Sequence, residues 1–377
     1  MILAKMDLKA VGAFAAACLV LLLSGARSVF GSSGTEAASF LDIPVGAGPA
    51  AMGSAYSALA VDAYAPTWNP AGLAFMDSLQ VAAQHLAYVQ STDYEYASFG
   101  LPFDKPRECA GGVWCGTSGV GGSIQYFGSG DISGLDAYGN PTGSYSSHFA
   151  AYNLSYGRAF GDQLSLGATG KLVNAGLAGV SANAFGMDLG SYYKLRNNIQ
   201  LAATLMNVGR QLTFLNEGDP LPLTFHLGGA YQPVSALNLG SELLFPRTGL
   251  VSFRLGVEWM PNSWITLRTG YRTDTLSGLS PLAGFSTGIG VNVWGAELAY
   301  AWVPYGELGD SNYISLVVKF GETRVARSRN LIQVTHQEQP PARQPETAPE
   351  LEYQQLMNLL SDEPVPGEKS GGANTNR

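Results

Sequence analysis

Val251-Ser252-Phe253-Arg254-Leu255-Gly256-Val257-Glu258-Trp259 decides the fold. Val251, Phe253, Leu255, Val257 and Trp259 fall at every second position, with Ser252, Arg254, Gly256 and Glu258 between them. A helix would mix the two sets around its axis; a strand sends them to opposite faces. The same alternation runs through Leu221–Tyr231, where Leu221, Leu223, Phe225, Leu227 and Tyr231 oppose Thr224, His226, Gly228 and Ala230. It returns in Phe285–Val293, with Ser286, Gly288, Gly290 and Asn292 on the second face, and in Ile314–Phe320, with Ser315 and Lys319 opposite the apolar set.

Composition says what such strands are for. Only 13% of the 377 residues are charged, against 47 Gly and 18 Tyr. That charge content is about half the usual globular share. Yet beyond residue 31 no apolar run is long enough for a membrane helix. Strands that hide polarity on alternate residues reconcile the two facts. The segments number about fourteen, many near the length a tilted strand needs to cross a bilayer. Their centres lie near Ala83, Phe99, Ile124, Leu154, Ala168, Leu189, Ala203, Leu227, Leu239, Leu255, Leu267, Ile289, Leu298 and Leu316. The expected fold is all-β: an antiparallel transmembrane β-barrel whose even strand number puts both ends on one side.

Connection lengths agree. With the first strand running outward, the periplasmic turns are brief: Gly161–Gln163, Arg196–Asn198, Gln232–Ser235 and Pro261–Ser263. The intervening loops tend to be longer: 128–147, 209–220, 273–281 and 304–312. A sandwich has no reason to alternate in this way, whereas outer-membrane barrels do. Trp259, Trp264, Trp294, Trp302 and Tyr305 sit near strand ends and suit interfacial girdles in contact with outer-membrane lipids.

Four regions follow. Residues 1–31 read as an export signal: Lys5 and Lys9, an apolar stretch Val11–Leu23, then small residues. Residues 32–77 are Ala-rich and the one region with a helical pattern. Residues 78–321 are the barrel. Residues 322–377 are polar and Pro-rich and read as a mostly disordered periplasmic tail. Export permits a disulfide between Cys109 and Cys115, which otherwise remain thiols on a short turn.

Chemistry-bearing motifs are few. Gly46-Ala47-Gly48-Pro49-Ala50-Ala51 resembles the glycine turn of flavin- or nicotinamide-binding domains. However, Phe40–Val45 is a poor buried strand, no acid follows at ribose distance, and no βαβ unit succeeds it. No cofactor, metal cluster or catalytic constellation is expected. The net charge of −8 argues against nucleic acid as a partner. The polar faces do concentrate charge: Glu242, Arg254, Glu258, Arg268, Arg272 and Glu297 fall inward, as do Lys171 and Asp188. Such charges either pair to hold the barrel and its plug or line a polar path.

Three segments carry a resemblance. Met52-Gly53-Ser54-Ala55-Tyr56-Ser57-Ala58, Asp62-Ala63 and Trp68-Asn69-Pro70-Ala71-Gly72-Leu73 resemble the N-terminal signature of the PorV/PorQ family, relatives of the FadL-type hydrophobic-compound transporters. Val303-Pro304-Tyr305-Gly306-Glu307-Leu308-Gly309 with the closing strand, and the terminal Phe320, extend it. The resemblance implies a fourteen-stranded barrel with a hatch in its lumen. Met52, Asp62, Trp68, Asn69 and Pro70 would belong to that hatch. On this reading Asn69-Pro70 stops a helix begun near Ala50, Trp68 anchors, and Asp62 pairs with Arg254 or Arg268. The tail beyond Phe320 departs from the family pattern.

Two functions follow. One is passage of hydrophobic or small amphipathic cargo, for which an apolar pocket beside the hatch and a gap in the wall are expected. The other is a non-channel partner in type IX-like secretion or surface attachment, with a sealed wall and an extended loop surface near 128–147.

Overall fold

The computed structural model describes residues 35–88, 92–103, 116–130, 132–274, 281–305, 309–321 and 357. Among them fourteen antiparallel strands close into one barrel. The first seven are β1 (Gln80–Ala87), β2 (Thr92–Pro102), β3 (Ser118–Ser129), β6 (Ser147–Phe160), β7 (Leu164–Leu177), β8 (Val180–Arg196) and β9 (Ile199–Gly209). The rest are β12 (Thr224–Val234), β13 (Leu237–Pro246), β14 (Ser252–Trp259), β15 (Ile265–Arg272), β16 (Phe285–Val293), β17 (Ala296–Pro304) and β18 (Asp310–Lys319). Two small hairpins stand outside the ring: β4 (Ile132–Leu135) with β5 (Pro141–Tyr145), and β10 (Leu212–Phe214) with β11 (Glu217–Asp219). Every expected strand centre lies in its own strand.

β1 closes on β18, with Gln80 opposite Lys319 and Ala87 opposite Asn312. Both ends of the barrel sequence therefore share one rim, called here the terminal rim. Closure pairs each strand's backbone on both sides and leaves no open edge, as a bilayer demands. The side-chain pattern is inside out relative to a soluble protein. In β14, Ser252, Arg254 and Glu258 are buried, while Phe253, Leu255 and Trp259 are exposed. Leu154, Phe185 and Leu298 are likewise more than half exposed on the outer face.

The wall is uneven. β6, β7 and β8 have 14, 14 and 17 residues, against 8 in β14 and β15. A tilted strand crosses a bilayer in about 9–11 residues, so β6–β8 rise beyond the rest. The brief turns at Gly161–Gln163 and Asn197–Asn198 lie at the terminal rim as expected. The longer connections at the opposite rim hold the two hairpins. β7 and β8 join there through just two residues, Ala178 (φ 49) and Gly179 (φ 86), a tight turn with both residues left-handed.

Residues 35–77 fill the lumen as a hatch, but not as the single long helix expected from Ala50. They form helices α1 (Ala47–Ala51) and α2 (Ala65–Trp68), with 3₁₀ turns at Ser39–Asp42 and Pro70–Phe75. α1 ends after one turn because Gly53 (φ 61) and Ser54 (φ 62) turn left-handed. Pro66 opens α2, and extended Asn69 (φ −161) before Pro70 closes it.

Two more expectations change. Trp259, Trp264 and Trp294 are exposed at the terminal rim, and Trp302 is outward near the opposite one. Tyr305, past the end of β17, instead packs against Tyr88 and joins no girdle. Leu221 precedes β12 and is buried in the main core with Leu212. Residues 1–31, Cys109 with Cys115, and 322–377 apart from Met357 lie outside the described residues.

Candidate functional site

The hatch is seated backbone to backbone on the wall. Glycines facing the lumen, on one strand after another, leave room for it. Gly256 and Gly270 take Met52 and Gly53; Gly240 takes Ala55; Gly228 takes Ser57. Gly190 takes Asn69, while Gly157 and Gly167 take Pro70. A β-carbon at most of these positions would fall inside van der Waals contact with hatch backbone. Sequence reading missed this belt. Its trace was one glycine on the polar face of many strands.

Polar side chains then pin the hatch. Trp68 is buried, donates its indole N–H to the Val45 carbonyl at 3.0 Å, and meets Tyr56 edge-on at 5.8 Å. Asn69 accepts from Ala71 N–H at 3.1 Å and donates to the Ser57 and Ser191 carbonyls, both at 3.1 Å. It thereby caps the Pro70–Phe75 turn and ties it to β8. Ser286 donates to the Ala51 carbonyl at 3.0 Å and accepts Gly53 N–H at 3.0 Å. Glu242 accepts the Tyr56 and Ser57 N–H groups and is backed by His226 Nδ1 at 2.6 Å. Met52 is fully buried and Pro70 is buried with it.

Asp62 takes part in the hatch's own hydrogen bonding. Its carboxylate accepts the Tyr56 hydroxyl at 2.6 Å and Tyr64 N–H at 2.9 Å, so it organises the hatch from within. The arginines are held elsewhere. Arg268 bridges Glu258 at 2.7 Å and Glu297 at 2.8 Å, all three buried near the terminal rim. Gln232 and Asn238 continue that network to Glu258. Near the opposite rim Arg254 and Arg272 share Asp274 at 2.8 and 2.6 Å. Burial pushes the Asp274 carboxyl up, but Arg272 and then Arg254 outweigh it and hold it well below the usual carboxylate range. Lys171 and Asp188 pair at 3.0 Å inside the wall. The inward arginines thus sort by depth into a terminal network and a mouth cluster.

Between the hatch and β9–β15 lies a cavity of about 190 Å³. Ile43, Val45, Trp68, Met206, Leu244 and Leu250 supply its apolar wall; Asp42, His226, Arg254, Arg272 and Asp274 supply the polar one. A second hollow of about 190 Å³ opens at the terminal rim beside Trp264, Trp294, Glu297 and Lys319. The first hollow is hatch-lined and reaches Arg254 and Arg272; the second reaches Glu297, a partner of Arg268. A contacting row of aromatic rings, Tyr305, Tyr88, Phe127, Phe149 and Phe40, lines another part of the opposite mouth.

The strand ladder closes without a gap, so of the two features expected for passage the described residues show the pocket and not the wall opening. The ladder's register shifts at Met187/Leu189 between β8 and β9, where left-handed Asn207 gives its N–H to Asp188 Oδ1 at 2.7 Å in place of a strand bond.

No known protein family and no curated protein matches the chain in sequence. Solved structures do match. The toluene transporter TodX of P. putida superposes with a TM-score of 0.50 at 14% identity, covering 74% of this chain and 99% of that one. The CymD monoaromatic hydrocarbon channel gives 0.48 at 13% identity, over 74% and 98% of the two chains. A Pseudomonas aeruginosa FadL homologue gives 0.47 at 12% identity, over 73% and 98%. At these identities the likeness is one of architecture: the chain shares the barrel fold of the toluene transporter TodX.

Proposed function

We propose that this protein sits in the bacterial outer membrane, with the terminal rim periplasmic, and admits small amphipathic molecules through its hatch-gated lumen. One observation carries the reading: the cavity at Trp68 sets an apolar wall against an arginine pair, directly beside the segment that must move for passage. A cargo with an apolar body and one anionic group matches both walls. The buried Arg268 network below the hatch argues that resting barrels are shut and that passage needs hatch movement. Uptake of a labelled fatty acid into vesicles holding the purified protein tests this. The expected result is uptake above empty vesicles that falls when Arg254 and Arg272 are both changed to Ala; uptake equal to empty vesicles overturns the reading.

A second reading is a docking barrel in type IX-like secretion, of the PorV/PorQ kind. The unbroken wall favours it, as does the hairpin β4–β5, whose Leu135 and Tyr138 are 63% and 90% exposed. Co-purification of a secretion component with the intact chain, lost on shortening that hairpin, would support docking over uptake.

A further inference from the structure

The outer wall carries a feature that neither reading uses. Across β17, β18, β1, β2 and β3 the outward side chains are mostly apolar, and the polar ones gather toward the opposite rim. His85 on β1 and Glu95 on β2 face each other across the ladder, and His85 Nδ1 meets Glu95 Oε1 at 2.6 Å. Both side chains are 51% exposed on the face that meets lipid. Directly below them Ala83 opposes Ala97, the smallest pair on this wall. Leu316 and Leu298 flank the alanines on one side and Ile124 on the other. The result is a groove of about 490 Å³, floored by alanine, walled by branched side chains and headed by the His85–Glu95 contact.

We propose that this groove binds one lipid, with an acyl chain along Ala83 and Ala97 and a primary-ammonium headgroup at Glu95 and Asp93. Shape argues for a chain. A concave strip two strands wide fits a single extended hydrocarbon, and a second copy of the same concave face would leave a void. Charge argues for the head. His85 takes Glu95 Oε1, leaving Oε2 as an acceptor, and Asp93 lies two residues along on the same face. The outward positions of these five strands carry no Lys or Arg, and Asp310 adds a third acid at the same rim. Depth agrees: the pair lies one step inside the end of β1, level with Tyr126 and Tyr300, where headgroups meet hydrocarbon. Acidic side chains there attract an ammonium and repel anionic lipid.

Native mass spectrometry of the intact protein tests this, in micelles holding equal amounts of ethanolamine, choline and glycerol phospholipids. The expected result is a one-lipid adduct in which the ethanolamine lipid exceeds the choline lipid several-fold. Glu95→Gln with Asp93→Asn should bring that ratio to about one. Ala97→Leu should fill the groove and remove the adduct. Gel migration that slows only after heating, the sign of an intact barrel, qualifies each variant; should Ala97→Leu misfold, the charge variant alone decides. Equal retention of ethanolamine and choline lipids by the unaltered protein overturns the proposal. So does preference for the anionic lipid, an adduct unchanged in the charge variant, or a dimer that Ala97→Leu abolishes.

Discussion

Glu242 holds Tyr56: one oxygen of this buried wall carboxylate accepts the Tyr56 N–H at 2.9 Å and the neighbouring Ser57 N–H at 3.0 Å. In the hatch turn after α1 it is the wall that supplies the acceptor for these donors. Glu242→Ala leaves both donors and His226 without it. Each buried orphan costs about 1–3 kcal/mol, so the hatch should loosen well before the barrel opens. The expected outcome is frequent transient conductance in planar bilayers where the unaltered protein is quiet, with Glu242→Gln intermediate because it keeps an acceptor and loses the charge. Silent Glu242→Ala channels would show that Glu242 does not hold the hatch shut.

The glycine belt makes a paired prediction. A methyl at Gly270 falls on the backbone of Met52 and Gly53, which cannot yield without lifting the hatch. At Gly170 the nearest atom to a new β-carbon is the Leu154 carbonyl oxygen at 4.0 Å. Overpacking of this kind costs about 1–3 kcal/mol. Gly270→Ala should therefore lower the thermal midpoint and expose 50–56 to protease, and Gly170→Ala should do neither. Equal behaviour of the two variants would refute backbone seating.

Much of this architecture was legible in the sequence, and the boundary has a physical cause. Period-two alternation is local, so Val251–Trp259 announces β14 without reference to anything else. The inward side of Arg254, Glu258, Arg268 and Glu297 followed from the same parity. Their partners did not, because pairing depends on register. Arg254 lies opposite Arg272 on the next strand, and the two like charges share Asp274 from the loop beyond. Charge alone points Asp62 at a lumen arginine; its bonds to Tyr56 and Tyr64 depend on how the hatch folds and are not visible in the sequence. The helix expected from Ala50 failed at Gly53 and Ser54, where a seat against Gly256 and Gly270 favours a left-handed turn over more helix. The belt itself was invisible because its members are scattered over strands far apart in sequence.

Lys171 and Asp188 form an ion pair with almost no solvent, 3% and 1% exposed at the side chain. Asp188 also replaces a strand bond by accepting Asn207 N–H. Removing one partner from such a pair typically costs about 3–5 kcal/mol, while replacing both with apolar groups is often neutral. Asp188→Ala should thus cost far more in urea unfolding than Lys171→Met. The double variant should recover only part of the loss, since Asn207 N–H stays unpaired. Full recovery would mean that the backbone acceptor role of Asp188 is negligible.

Asp274 couples the mouth to pH. Its folded pKa lies below its unfolded one, because Arg272 and Arg254 favour the carboxylate over the cost of burial. The bridge therefore contributes its full stability above about pH 4, the ordinary aspartate range, and loses it as pH falls through the depressed folded value. Asp274→Asn removes the bridge at every pH. The variant should be the less stable protein at pH 7, and the difference should shrink as pH drops below about 4, where the native carboxylate begins to protonate in the unfolded chain. The same change leaves two guanidiniums facing the cavity without their shared anion. At pH 7 it should therefore raise binding of an anionic amphiphile and leave binding of its neutral alcohol unchanged, read by fluorescence titration. A stability gap that widens in acid would reverse the assigned direction, and equal gains for acid and alcohol would detach the arginine pair from cargo recognition.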